Sequence, residues 1–287
     1  MGTHASRSGG SEAVLEFYGL REQPFGTTPD PRFTYLGRSY REALASICIG
    51  LQSGQGLLAL VAPPGLGKTM LLFQLLEYLG RGARTVFLFH TQCDGRDLLR
   101  QIVGQLGGSY DERDVITLHG ALLGILQQEQ RRGRRVVLII DEAQNLEAPA
   151  LETVRLLSDF ETPTSKLLQI VLAGQPAFAE RLLQPELAGL TQRISTIARI
   201  APLTESETLA YVGHRLKMGG RPEAPVFDES ALRLVAQAAR GVPREINSIL
   251  FSALCLGCAV GARPIGRGVA EEVLDDRDLR PLCLGES

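Results

Sequence analysis

Ala62-Pro63-Pro64-Gly65-Leu66-Gly67-Lys68-Thr69 follows a branched apolar run, Leu57 to Val61, and opens a helical pattern. A phosphate-binding loop requires that context. Gly65 and Gly67 let backbone N–H groups, with that of Lys68, converge on a phosphate, and the helix N-terminus adds its positive dipole end. Lys68 would neutralise β/γ oxygens and Thr69 would offer a hydroxyl to Mg²⁺, so Ala62 to Thr69 form the expected cradle for ATP with its metal. The strict pattern has glycine where this chain has Ala62, which is tolerable if that position needs no positive φ. Of 30 basic residues only Lys68, Lys166 and Lys217 are lysines, so a lysine inside a glycine-rich loop carries more information here.

A second element stands apart from the first. The apolar run Val136 to Ile140 ends in Asp141-Glu142, and carboxylates at the C-terminal end of a buried strand face the crevice where ligands of open α/β sheets sit. Asp141 would hold Mg²⁺ through water, and Glu142 would act as general base toward the attacking water. The plainer alternative, a helix cap, applies to Asp-Glu alone but not to the pair of motifs together. A third run, Leu168 to Leu172, leads into Ala173-Gly174-Gln175-Pro176, which would set the Gln175 amide beside Glu142 to orient the water. Charge developing on the γ-phosphate also needs cations. Arg193, just before a further strand, and Arg244, opening a helix after Gly241-Val242-Pro243, are the arginines placed to provide it.

These residues need a scaffold. The strands expected at 57–61, 85–89, 136–140, 168–172 and about 196–200 alternate with helical patterns at about 68–80, 95–106, 114–131 and 148–159. Alternation of this kind implies a parallel α/β sheet covered on both faces. After Pro202 the spacing turns wholly helical: Thr204 with Glu207 forms a capping box, and helices follow at about 205–217, 228–239, 243–261 and 267–275. The expected organisation is a disordered tail over 1–14, a P-loop core over 15–202, and an all-helical lid with a C-terminal tail over 203–287.

The chain has 287 residues, 44% of them hydrophobic, and a formal charge of -2, so no net field draws it to nucleic acid. Arg131-Arg132 with Arg134-Arg135 is the best local basic cluster, and it reads more simply as a solvated helix C-terminus. Cys48, Cys93, Cys255, Cys258 and Cys283 are scattered and odd in number, which fits a reducing cytoplasm better than a disulfide framework. Cys255 and Cys258 have metal or redox spacing but no second pair, and read as buried helix packing. No apolar stretch approaches the ~20 residues that span a bilayer, and the first residues lack a signal-peptide core, so nothing is expected to anchor or target the chain.

Together the residues resemble an AAA+ ATPase. Phe17-Tyr18-Gly19-Leu20, Pro24-Phe25, Pro29-Asp30-Pro31-Arg32-Phe33 and Glu42-Ala43-Leu44 are followed by Asp141-Glu142-Ala143-Gln144, Gly174-Gln175-Pro176 and Gln192-Arg193-Ile194. That succession is similar to the ATPase domain of the general secretion pathway protein A (ExeA-like) family over about residues 15–275. The resemblance implies a RecA-like core with strand order 5-1-4-3-2, Gln175 as sensor 1, Arg193 as a finger reaching a neighbouring subunit, and Arg244 as sensor 2 from the lid. It also implies a homo-oligomer and a protein partner in a secretion or envelope assembly, with the N-terminal motif near the adenine. Members linked to type II secretion continue into a membrane segment and a peptidoglycan-binding region, so this chain is expected to be a stand-alone paralogue or the ATPase portion alone. Transposition-regulator ATPases of the MuB and TniB type are related too, which makes a nucleotide-switched DNA-binding scaffold the alternative.

Overall fold

The computed structural model describes residues 9–26, 28, 30–89, 93–108, 114–220 and 222–283. Along the chain, α1 (Gly9–Tyr18) and α2 (Arg38–Gln52) precede β1 (Leu57–Val61), α3 (Lys68–Leu79) and β2 (Ala83–Leu88). Then come α4 (Gly95–Gln105), α5 (Val115–Arg131), β3 (Arg135–Ile140), α6 (Ala148–Leu157) and β4 (Leu168–Gly174). The order continues with α7 (Pro176–Leu182), α8 (Ala188–Thr191), β5 (Ile194–Arg199), α9 (Glu205–Gly219), α10 (Glu229–Ala239), α11 (Pro243–Ala259) and α12 (Arg267–Cys283).

Contacts divide the chain into two units: Arg38–Ala201, and the described parts of Met1–Gly37 taken with Pro202–Ser287. The first holds one five-stranded sheet in the order β2-β3-β4-β1-β5, with every pairing parallel. Read from the other edge this is 5-1-4-3-2, the order the resemblance implies. Every residue of β1 and β4 is buried, as is β3 after Arg135, because helices cover both faces of the central strands. Each fully buried Leu, Ile or Val there contributes about 1.5–3 kcal/mol relative to exposure. Edge strand β2 has the outward N–H and C=O of Phe87 occupied by the side-chain amide of Gln105, at 3.2 and 3.0 Å. That contact blunts an edge open to further pairing.

Local chemistry sets the helix starts. Asp94 and Asp114 cap α4 and α5 by accepting from Asp97 N–H and Thr117 N–H, and Thr204 with Glu207 completes the capping box of α9. Residues 9–14 are helical rather than a tail; residues 1–8 lie outside the described residues. The N-terminal motif up to Phe33 belongs with the helical unit, while Glu42-Ala43-Leu44 lies in α2 of the sheet unit. Tyr18, Leu20 and Phe25 share one core with Tyr211, Val226, Phe227, Ile249 and Leu250, and the Arg215 guanidinium lies 4.9 Å from the Phe33 ring centroid. Burying those aromatics needs a helix surface, which α9 to α11 supply. Pro29 of the motif lies outside the described residues.

Candidate nucleotide site

The parallel sheet points the C-terminal ends of β1, β3 and β4 to one side, and the loop, the carboxylates and Gln175 follow from those three ends. Ala62 N–H donates to Gly174 O at 3.0 Å, tying the start of the loop to the end of β4. Ala62 is fully buried and is not among the residues with positive φ, so the departure from glycine costs nothing there. Gly65 and Gly67 adopt φ of 82° and 91°, a region an L side chain would strain, and Gly67 is the N-cap of α3. Pro64 of the loop is exposed, and Leu66 is buried beneath it.

Lys68 is 7% exposed and its ammonium is bound by two carboxylates: Asp141 Oδ1, and Glu142 Oε1 at 2.6 Å. Thr69 Oγ1 donates to Asp141 Oδ2 at 3.0 Å. Glu142 ends β3 in the left-handed region, φ 51° and ψ 43°, which costs a non-glycine residue about 1 kcal/mol and recurs where a site demands one orientation. Its Oε2 accepts from the amide nitrogens of Gln144 and Gln175, the latter at 3.1 Å. Burial pushes the Glu142 carboxyl up, but the hydrogen bonds from Lys68, Gln144 and Gln175 outweigh it and hold the group below the usual glutamate value. Glu142 is therefore ionised at neutral pH.

Lys68, Asp141 and Glu142 sum to one negative charge, which suits a cation. Mg²⁺ keeps several waters and takes one or two protein carboxylates with substrate phosphates, so a hydroxyl and a carboxylate at hydrogen-bond distance are a sufficient protein share. The ring of Tyr40 lies 3.7 Å from where a Cβ on Gly67 would be, and its buried hydroxyl has no hydrogen-bond partner among the described residues. An orphaned donor beside the loop is a group that a polar ligand would satisfy. On these observations the residues fit a magnesium nucleotide.

A family model described as an AAA domain matches residues 51–182. General secretion pathway protein A of Aeromonas hydrophila is 36% identical over 268 residues, covering 92% of this chain. This chain has the P-loop AAA+ fold. The chain spans about half the length of that curated relative, 49%. Two solved structures share its fold: Aeropyrum pernix ORC2 in its ADPNP–ADP complexes and Cdc6p from Pyrobaculum aerophilum, each with a TM-score of 0.63. The first is 17% identical over 90% of this AAA+ chain and 72% of its own, the second 20% over 84% and 67%.

Arg193 stands apart from the cluster. β5 runs parallel to β1, with Leu57 beside Ile194 and Val61 beside Arg199. Arg193 precedes the first residue of β5, so it sits at the end of the AAA+ sheet opposite the loop, about 17–20 Å away for a strand of this length. There it is ion-paired with Asp159 and lines a cavity of about 150 Å³ with Gly56, Leu57, Ser158 and Lys166. Arg244 belongs to the helical unit, exposed in the first turn of α11.

Other expectations change with the side chains in view. The arginine run is no simple solvated helix end: Arg132 and Arg134, with Arg84 from β2, bind Glu129, which is fully buried in α5. Arg135 donates to Leu51 O at 3.1 Å. A carboxylate leaving water needs cations beside it, and the run supplies them. Cys255 is exposed and Cys258 half-buried, so only the latter resembles the expected packing residue. Among the described residues no group of three or more His, Cys, Asp or Glu is arranged to hold a metal, and no helix is long and apolar enough to cross a membrane.

Two further side chains, to which the sequence alone gives no role, complete the cluster. Gln144 joins Glu142 to the backbone of Gln175, and Arg181 of α7 donates to the carbonyls of Gln144 and Leu146 at 3.2 and 2.5 Å. The motif Asp141-Glu142-Ala143-Gln144 was visible, but a role for its fourth residue needs the turn geometry that folds it back over the second.

Proposed function

We propose that this chain hydrolyses ATP, and that it does so as an oligomer of identical copies serving a secretion or envelope-associated assembly. The observation that carries the hydrolytic reading is Glu142: ionised, fixed in a left-handed turn at the end of β3, and held on both oxygens by Lys68, Gln144 and Gln175. A carboxylate built in this way is a base with one orientation.

In this reading the N–H groups of Gly65, Gly67 and Lys68 bind the triphosphate and the Lys68 ammonium neutralises its terminal oxygens. Thr69 and Asp141 would hold Mg²⁺, which would supply positive charge to the phosphates. Gln175 orients the attacking water and Glu142 takes its proton. The water oxygen bonds to the γ-phosphorus as the bond to the β,γ-bridging oxygen breaks, giving ADP and phosphate. Arg193 supplies transition-state charge to the site of the next copy, and Arg244 supplies it from the helical unit. Support for the trans role of Arg193 is its place at the far end of the sheet from its own loop.

The secretion context rests on similarity to General secretion pathway protein A and is a reading of the whole relative from about half its length. Free thiols at Cys48, Cys93, Cys255 and Cys258 support a reducing compartment, the cytoplasm. The DNA-scaffold alternative would draw on the run Arg131 to Arg135, of which Arg132, Arg134 and Arg135 also bind within the chain. Glu142→Gln tests the hydrolytic reading. It should leave ATP affinity within a few-fold and reduce steady-state turnover by roughly 10²-fold or more. Turnover at the parental rate would remove Glu142 from the reaction.

A further inference from the structure

Gln144 occupies a place from which a side-chain amide can do one thing only. Its Oε1 accepts from the backbone N–H of Gln175 at 3.1 Å, while its Nε2 donates to Glu142 Oε2. The two ends of a glutamine amide are interchangeable in shape, but a backbone N–H can only donate and an ionised carboxylate can only accept. Neither contact survives a flip. The amide is thus oriented by the chain at one end and presents a donor to Glu142 at the other.

The turn that carries it is fixed independently. Residues 143–145 form a 3₁₀ turn, Ala143 is fully buried, and Arg181 binds the carbonyls on either side of Asn145. Glu142 Oε1 is taken by Lys68, so the remaining freedom of the carboxylate is rotation about its last bonds, and Gln144 with Gln175 removes it at Oε2.

We infer that Gln144 is the positioning residue of the hydrolytic site, aiming the Glu142 carboxylate through a hydrogen bond that Gln175 orients. This rests on the ATPase reading and adds to it a residue that touches neither nucleotide nor metal. It also makes Gln175 a double contact, since its side chain reaches Glu142 directly and its backbone reaches it through Gln144. A shift of α7, whose first turn begins at Gln175, moves both donors together.

Three variants read by kinetics and a fourth read by a spectrum test this. Gln144→Ala removes both contacts and should lower kcat about 10- to 100-fold, the cost of a misaimed base, with KM for ATP within about threefold. Gln144→Glu separates the roles, because a carboxylate still accepts from Gln175 N–H but has nothing to donate to Glu142. It should be as slow as the alanine variant or slower. Parental kcat in Gln144→Glu would show that bracing Gln175 is the whole function, and parental kcat in Gln144→Ala would show that there is none; either overturns the inference. Glu142→Gln serves as the control: if it turns over normally the hydrolytic reading itself fails, whereas an inert control beside a fully active Gln144→Glu sinks only the positioning role. In the nucleotide-free protein, the Gln144 side-chain amide signal in a ¹⁵N–¹H spectrum should lie away from that of a solvated glutamine and move on Glu142→Ala. A signal indifferent to Glu142 would dismiss the contact without reference to activity.

Discussion

Lys68 is a cation enclosed by acids, and its removal differs from the removal of a surface lysine. Lys68→Ala takes away the charge offered to phosphate and the cation that binds both Asp141, 3% exposed, and Glu142. Both changes oppose an anionic ligand. Binding of ATP at micromolar concentration should be lost, a fall in affinity of roughly 10²-fold or more, while the sheet stays intact. Titration with a fluorescent ATP analogue, beside a thermal melt, checks both halves; parental affinity would show that the loop does not bind phosphate. The sequence already displayed the chemistry of this cluster, because the spacing of Gly65, Gly67, Lys68 and Thr69 is local. What it hid was the pairing of Lys68 with residues more than 70 positions away, and the left-handed turn at Glu142, which no residue type there advertises.

Glu129 shows how one element is fastened to another. It projects from α5 into a fully buried position where Arg84 of β2 and Arg134, ahead of β3, bind its oxygens at 2.8 and 2.6 Å. Burial pushes the carboxyl up, and the hydrogen bonds from Arg134 and Arg84 overcome it to leave the group below the ordinary glutamate value of 4.5. A carboxyl with a depressed folded-state pKa contributes stability that is complete above the unfolded value and fades as pH falls through the folded one. Glu129→Gln should therefore destabilise the chain at pH 7 by about 2–3 kcal/mol, toward the low end for a broken buried pair because the arginines are partly hydrated. The gap should hold down to about pH 4.5 and narrow below it, as urea denaturation at pH 7 and pH 4 would record. A gap that widens in acid would contradict the ion-pair account. Nothing in the sequence marks Glu129 as buried, since a glutamate near an arginine-rich helix end reads as surface. The central strands, by contrast, were plain as unbroken apolar runs, and their boundaries shift by only one or two residues. Four helices are absent from the periodic patterns: α1 opens on paired glycines, α7 opens at Pro176 after Gly174-Gln175, which reads as a turn, α8 is a single turn, and α2 lies in the stretch ahead of β1 where no helix is expected. The sequence reading counts the N-terminal segment within the core over 15–202, and only its aromatic packing on α9 to α11 reveals where it belongs.

At the scale of the whole molecule, Arg193 and Lys68 occupy opposite ends of one sheet, and no rearrangement within the core brings them together. Arg193→Ala should leave nucleotide affinity within a few-fold yet lower turnover by roughly 10²-fold or more, since a trans cation serves the transition state rather than the ground state. Parental specific activity should rise with protein concentration. Mixing Arg193→Ala with Glu142→Gln protein should restore part of the activity, because one kind of interface then joins an intact base to an intact arginine. Activity independent of concentration, with no recovery on mixing, would describe an enzyme complete in one chain.

The opposed placement of Arg193 and Lys68 also gives the subunit a direction, like a plug and a socket moulded into one piece. Copies joined plug to socket form a heterologous series, which either closes on itself or stays open. A closed series fills every socket. An open one always leaves its last socket empty, so it has one working site fewer than it has members. If Arg193 completes the site of the next copy, as proposed, the activity per chain would count neighbours: half the limiting value in an open pair, approaching the limit as the row lengthens, and reaching it in a single step when a ring shuts. Turnover measured against particle mass would then tell a filament from a ring without an image of either.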